Sequence, residues 1–177
     1  MGCFGGLHAT AQRSGVVRAF ADTRFLFAFY FPRGGSEQAI QKMETTRESP
    51  VISSLVRYEF QQAVWFKVWL HSNGEASGLS QQNAQAVLAA FDLDLEQGVW
   101  RVEDAGFAPF LARAESLVFA HTLRSGVRSM DLLHVAAALE TGAEELLSFD
   151  QNQRQIALAD NFVVFPWTWV RNPVARF

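Results

Sequence analysis

The sequence predicts an α/β fold in which a mostly parallel central sheet is flanked by helices, and three observations carry the prediction. Short apolar, strand-like runs alternate with segments of helical periodicity along the chain. Four acids, Asp22, Glu59, Asp131 and Asp150, each follow such a run or lie one element past it, and an open parallel sheet turns the carboxyl ends of its strands toward one crevice. Finally, 177 residues with 49% hydrophobic content suffice for one ordinary domain with a real core.

The elements follow in order. Met1–Gly15 is rich in Gly, Ser and small residues without periodicity, which predicts a disordered N-terminal extension. A natural start at Val16 or Val17 would put the first strand at the N-terminus, and the intact mass of the natural protein distinguishes the two. Residues 16–166 form the predicted domain. Val16–Ala21 reads as a buried strand ending at Asp22, and Thr23–Tyr30 as a short helix with Phe25, Leu26 and Phe29 on one face. Pro32, Gly34 and Gly35 make a turn. Ser36 is expected to cap a helix reaching Arg47, and Pro50–Ser53 is a second strand. Ser53 or Ser54 caps a long helix to His71 that contains Glu59. After the Ser72–Gly78 turn, a helix runs from Ser80 to Gln97 and stops at Gly98. Val99–Val102 is strand-like, and Pro109 suits the first turn of a helix reaching Thr122. Arg128–Thr141 is helical with Gly142 as its stop, Glu145–Phe149 is a strand ending at Asp150, Gln151–Ala159 is a helix, and Asn161–Phe165 is the last strand. Residues 167–177 are a C-terminal tail.

Four carboxylates gathered at one sheet edge repel one another unless cations join them, so the arrangement fits a hard divalent metal. A lone acid is usually a solvated surface group, but these neighbourhoods differ. Asp22 is apolar on both sides, where an unpaired charge is expensive. Asp131 stands at a helix start, a place that also suits an N-terminal charge, and Asp150 also suits a cap for the following helix. Glu59 falls inside a helix filled with Leu55, Phe60, Val64, Trp65 and Val68, where no cap is needed.

Composition excludes several classes. The net charge of -3 argues against a general nucleic-acid binder, yet setting the four acids aside leaves fourteen acidic against fifteen basic residues, a near-neutral remainder. Cys3, the only cysteine, has no disulfide partner or zinc-ligand spacing. No apolar run approaches the ~20 residues of a membrane span, and Met1–Gly15 lacks a signal peptide's apolar segment, so a cytoplasmic, non-membrane protein is expected. Asp92 and Asp94 fall two apart in a helix, share no face and read as solvated. His134, three residues after Asp131, reads as a core or supporting hydrogen-bonding group. No Gly-rich phosphate loop and no serine elbow appears.

The segments ADTRFL (21–26), SSLVRYEF (53–60), RSMDLLHVAAAL (128–139) and LLSFDQNQRQIA (146–157) resemble the signature blocks of the PIN domain, in particular the VapC toxins of type II toxin–antitoxin pairs. The resemblance spans roughly Val17 to Phe165. It implies a PIN-like compact α/β domain and a Mg²⁺- or Mn²⁺-dependent endoribonuclease. Asp22, Glu59, Asp131 and Asp150 match the family's metal-binding acids, and Thr23 and Ser148 its supporting hydroxyls. Arg24 departs from the usual small polar residue, and its guanidinium would touch substrate phosphate or compete with metal. Asp160-Asn161 replaces the usual glycine-type turn, which Asn tolerates because it accepts left-handed conformations. The resemblance also implies an RNA substrate, a small antitoxin partner and a homodimer, for which Trp65 and Trp69, four apart on one helical stripe, are the candidate interface. A PIN-type nuclease of RNA processing and a PIN module without catalysis are the two alternatives.

Overall fold

The computed structural model describes residues 17–32 and 34–167. The expected extension over 1–15, Cys3 and the tail beyond Trp167 lie outside the described residues. Five short strands form the centre: β1 (Ala19–Ala21), β2 (Val51–Ile52), β3 (Arg101–Val102), β4 (Glu145–Leu147) and β5 (Val163–Phe165). All pair in parallel, in the order β3-β2-β1-β4-β5. Phe20 of β1 stands beside Val51 on one side and Leu146 on the other. β1, β2 and β4 are buried along their whole length, which is why buried parallel strands read as largely apolar runs, whereas Arg101 and Val102 of the edge strand β3 are exposed.

The connections are helical: α1 (Thr23–Tyr30) and α2 (Ser36–Thr45) join β1 to β2, and α3 (Ser54–Ser72) and α4 (Gln81–Glu96) join β2 to β3. The chain then returns through α5 (Phe107–Leu117), a π-helical turn (Val118–Thr122), α6 (Leu123–Ser125) and α7 (Ser129–Glu140) to lay β4 on the free side of β1. Last, α8 (Gln151–Ala159) leads to β5. Strand order therefore reverses between β1 and β4, and a crevice opens outside their carboxyl ends.

Local chemistry sets the junctions. Asp22 caps α1, its Oδ1 accepting from Phe25 N–H at 2.7 Å. Ser53 caps α3 through Val56 N–H, and Ser80 caps α4 through Asn83 N–H, both at 3.2 Å. Ser36 is not a cap. The residue before α2 is Gly35 at φ 94°, where a Cβ would lie 2.9 Å from the Phe149 ring, so glycine answers both a left-handed backbone and a close approach. The helix expected to reach Thr122 ends at Leu117 and widens into the π turn. Asn161 adopts φ 65° before β5, the left-handed turn expected of it.

The core holds an aromatic cluster. Phe25 stacks on Phe149 at 6.0 Å and meets Trp100 and Phe165 edge-on at 6.3 and 6.0 Å. Tyr30 hydroxyl accepts from Trp100 Nε1 at 2.8 Å and donates to Asp94 at 2.5 Å, so Asp94 is not the solvated group expected. On α3 only Val56, Phe60 and Val64, four apart, are buried; Trp65 and Trp69 remain 44% and 56% exposed. Among the described residues no helix is long and apolar enough to cross a membrane.

Candidate active site

The crevice beyond β1 and β4 is a cleft of about 850 Å³, and Glu59, Asp131 and Asp150 all line it together with Thr23 and Arg24. The three acids come from α3, from the first turn of α7 and from the junction of β4 with α8. Asp22 does not line the cleft. It lies fully buried at the junction of β1 and α1, linked to the cleft by Ser148, whose hydroxyl donates to Asp22 Oδ2 at 2.5 Å and accepts from Asp150 N–H at 2.9 Å. Ser148 is itself fully buried, so Asp22 and the chain entering Asp150 are held in one register.

Burial pushes the Asp22 carboxyl up to about 6, with the Asp150 charge adding to it and the hydrogen bonds from Ser148 and Phe25 only partly opposing it. Glu59 goes the other way. Burial raises it, but hydrogen bonds from His134 and Thr23 and the Arg24 guanidinium outweigh burial and leave it below the usual carboxylate range. His134 Nε2 lies 2.7 Å from Glu59 Oε2, and the Thr23 hydroxyl donates to the same oxygen. Asp150 caps α8, its Oδ1 accepting from Asn152 and Gln153 N–H at 2.9 and 3.2 Å. Asp131 Oδ2 accepts from Arg128 N–H at 3.3 Å. The capping roles open to both residues in the sequence are thus real, and they coexist with exposure to the cleft. Arg24, with 69% of its side chain exposed, holds Nε 4.0 Å from Asp150 Oδ2.

Among the described residues no group of three His, Cys, Asp or Glu is arranged to hold an ion. Each cleft acid gives one oxygen to a protein donor: Glu59 Oε2 to Thr23 and His134, Asp131 Oδ2 to Arg128 N–H, and Asp150 Oδ1 to Asn152 and Gln153 N–H.

Sequence reasoning missed much of the cleft wall. Gln62, Ala63, Phe66, Lys67 and Leu70 of α3 line it with Phe27 and Ala28 of α1 and Phe31 just after it, and Arg128 stands at its α7 side. The signal was present, since 62, 63, 66, 67 and 70 follow Glu59 at helical spacing on one face. Trp65 and Trp69 form the neighbouring stripe of the same helix. The two surfaces are continuous, for Phe66 stacks on Trp69 at 5.4 Å.

Comparison with known proteins places this geometry. The family model of the PIN domain matches residues 19–158. VapC20 of Mycobacterium tuberculosis, described as a toxin that cleaves the sarcin–ricin loop, shares the fold with a TM-score of 0.57 at 20% identity over 82% of this chain and 96% of that one. VapBC2 of Rickettsia felis, solved with a DNA fragment of its promoter, gives 0.57 at 16% identity over 84% and 97%. FitAcB of Neisseria gonorrhoeae gives 0.55 at 15% identity over 83% and 96%. No curated protein sequence matches the chain. With the family model covering most of the chain, and with five parallel strands at its centre, the chain belongs to the PIN-domain family.

Proposed function

We propose that the protein is a divalent-metal-dependent endoribonuclease, the toxin of a type II toxin–antitoxin pair. One observation carries the reading: Glu59, Asp131 and Asp150 converge on one cleft at the sheet's switch point, with Asp22 buried behind them and joined through Ser148. The likeness to VapC20, described as a toxin that cleaves the sarcin–ricin loop, supports RNA as the substrate class.

The donor chemistry fits a hard cation. All four candidate ligands are carboxylates, and Asp22 is a buried acid whose charge nothing nearby compensates fully. Asp22, Asp131 and Asp150 would hold Mg²⁺ or Mn²⁺, with Glu59 binding a second ion or orienting water. Such an ion lowers the pKa of bound water and neutralises charge at the scissile phosphate. The chain's own groups do the rest. Ser148 fixes Asp22, Thr23 and His134 fix Glu59, and the guanidinium groups of Arg24 and Arg128 stand at the rim to take flanking phosphates. Hydrolysis leaves a 5′-phosphate and a 3′-hydroxyl. The apolar wall of Phe27, Phe31, Phe66 and Leu70 offers a seat for an antitoxin segment beside the acids.

Chelation tests the function. Single-stranded RNA should be cleaved with Mn²⁺ or Mg²⁺, spared in EDTA and cleaved again when Mn²⁺ is restored; cleavage that persists in EDTA contradicts the reading. Ion binding to the folded state should also raise the melting temperature, by about 2.7 kcal/mol of stability at a hundredfold excess over Kd, or several degrees. A melting temperature indifferent to millimolar Mn²⁺ counts against a formed site.

The Trp65 and Trp69 surface is the proposed contact for a second copy or for the antitoxin. Because Trp69 is 56% exposed, Trp69→Ala should leave melting nearly unchanged yet weaken association by about 2 kcal/mol, the scale of an aromatic anchor. Sedimentation and melting of that variant read both effects. A wild type that is wholly monomeric and binds no antitoxin-like peptide refutes the surface.

A further inference from the structure

We propose that His134 is a positioning residue for Glu59: its Nε2–H holds one carboxylate oxygen so that the other is presented to the cleft. The proposal rests on the reading of Glu59 as a site residue.

His134 sits on α7 and is 1% exposed, among Leu132, Val135 and Ala138. A buried imidazole costs free energy that an aliphatic side chain of similar size would not, unless its polar atoms are partnered. Here one is and one is not. Nε2 lies 2.7 Å from Glu59 Oε2, across 75 positions of sequence, while Nδ1 is buried without a hydrogen-bond partner among the described residues. A ring whose only polar contact is a carboxylate must carry its proton on Nε2, because a proton on Nδ1 would leave a buried N–H donor unsatisfied, which costs more than a bare nitrogen. The tautomer is therefore set by Glu59, and Glu59 is in turn set by the ring.

Glu59 needs such a hold. It lies on α3 with its side chain 30% exposed, and a glutamate half in a cleft otherwise samples several rotamers. His134 and the Thr23 hydroxyl converge on Oε2 from α7 and α1. Oε1 has no hydrogen bond among the described residues, and Glu59 lines the cleft. Asp131, three residues before His134 on the same helix, lines the cleft, so one turn of α7 supplies an acid and the next the anchor of a second acid. This division of labour resembles the outer partners of metal sites, where a residue that touches only a ligand changes ion affinity by 10–100-fold.

The test is a double-variant cycle on Mn²⁺ affinity, measured by calorimetry at fixed pH, with melting as the check of folding and imidazole ¹⁵N NMR of the metal-free wild type as an independent readout. His134→Ala should weaken Mn²⁺ binding by at least about tenfold, His134→Gln, whose amide N–H can reach Glu59, should recover most of it, and His134→Ala should add little in a Glu59→Gln background. The NMR spectrum should show the proton on Nε2 and a bare Nδ1. Equal losses with and without Glu59, or unchanged affinity in a folded His134→Ala, overturn the proposal while leaving Glu59 as a ligand. Wild-type Mn²⁺ affinity in Glu59→Gln overturns the role of Glu59 itself and this proposal with it. If His134→Ala does not fold, His134→Gln and the wild-type spectrum decide: a proton on Nδ1 with Nε2 bare overturns the proposal.

Discussion

Asp22→Asn is expected to lower RNA cleavage by more than about 100-fold, beyond what is lost when a residue merely supporting a metal ligand is removed, and at the same time to stabilise the metal-free protein at neutral pH. The shape is kept. Asparagine Oδ1 still accepts from Phe25 N–H, so the cap on α1 survives. What disappears is a charge in a fully buried place. Burial raises the Asp22 carboxyl from 3.8 to about 6, so between those values the folded protein holds a proton that the unfolded chain has released. Stability therefore falls as pH rises through that window, and above it the ionised Asp22 costs roughly 3 kcal/mol at most relative to the protonated form. Melting curves in EDTA at pH 4 and pH 7 read this directly. The wild type should lose Asp22's share of stability on going to pH 7, and Asp22→Asn should not. A variant that melts lower than wild type at pH 7, or one that still cleaves RNA, contradicts the account.

Phe25→Ala should cost about 3–5 kcal/mol, a large share of the 5–15 kcal/mol that a domain has to lose, and should lower melting by on the order of 10 °C. Phe25 is fully buried, and its ring joins Trp100, Phe149 and Phe165 into one cluster. The same residue's N–H holds Asp22 Oδ1, so core and site fail together, and the variant should lose activity through unfolding rather than chemistry. Phe25→Leu, closer in volume, should cost far less. Thermal and denaturant melts of the two variants decide it; a Phe25→Ala that melts within a degree or two of wild type refutes the packing argument.

What the sequence made legible was whatever neighbouring residues determine. The alternation of strands and helices foretold the parallel sheet, and the acids at the ends of β1 and β4 were visible because an apolar run stops there at a carboxylate. The left-handed Asn161 was legible for the same local reason. Strand lengths were not. Of the expected first strand, Val17 and Arg18 lie outside β1 (Ala19–Ala21), and β2 is only two residues long. Contacts between distant elements were also hidden. Asp94 reads as solvated until Tyr30, 64 positions away, is seen to donate to it. Lys67 and Arg128 become cleft residues only once α3 and the start of α7 are brought to one cleft. That Asp22 would sit behind the cleft rather than on it depended on Ser148 filling the space between, which neither segment states alone.

The most direct measurement of the central claim is the chemistry of the ends. A 5′-labelled single-stranded RNA is incubated in Mn²⁺ with the wild type and, in parallel, with Glu59→Gln purified in the same way, and the fragment termini are mapped. The account predicts fragments with 3′-hydroxyl and 5′-phosphate ends from the wild type and almost none from the variant, because water activated at the acids attacks the phosphorus and the 2′-hydroxyl takes no part. Equal cleavage by both proteins, or fragments ending in a 2′,3′-cyclic phosphate, would contradict it.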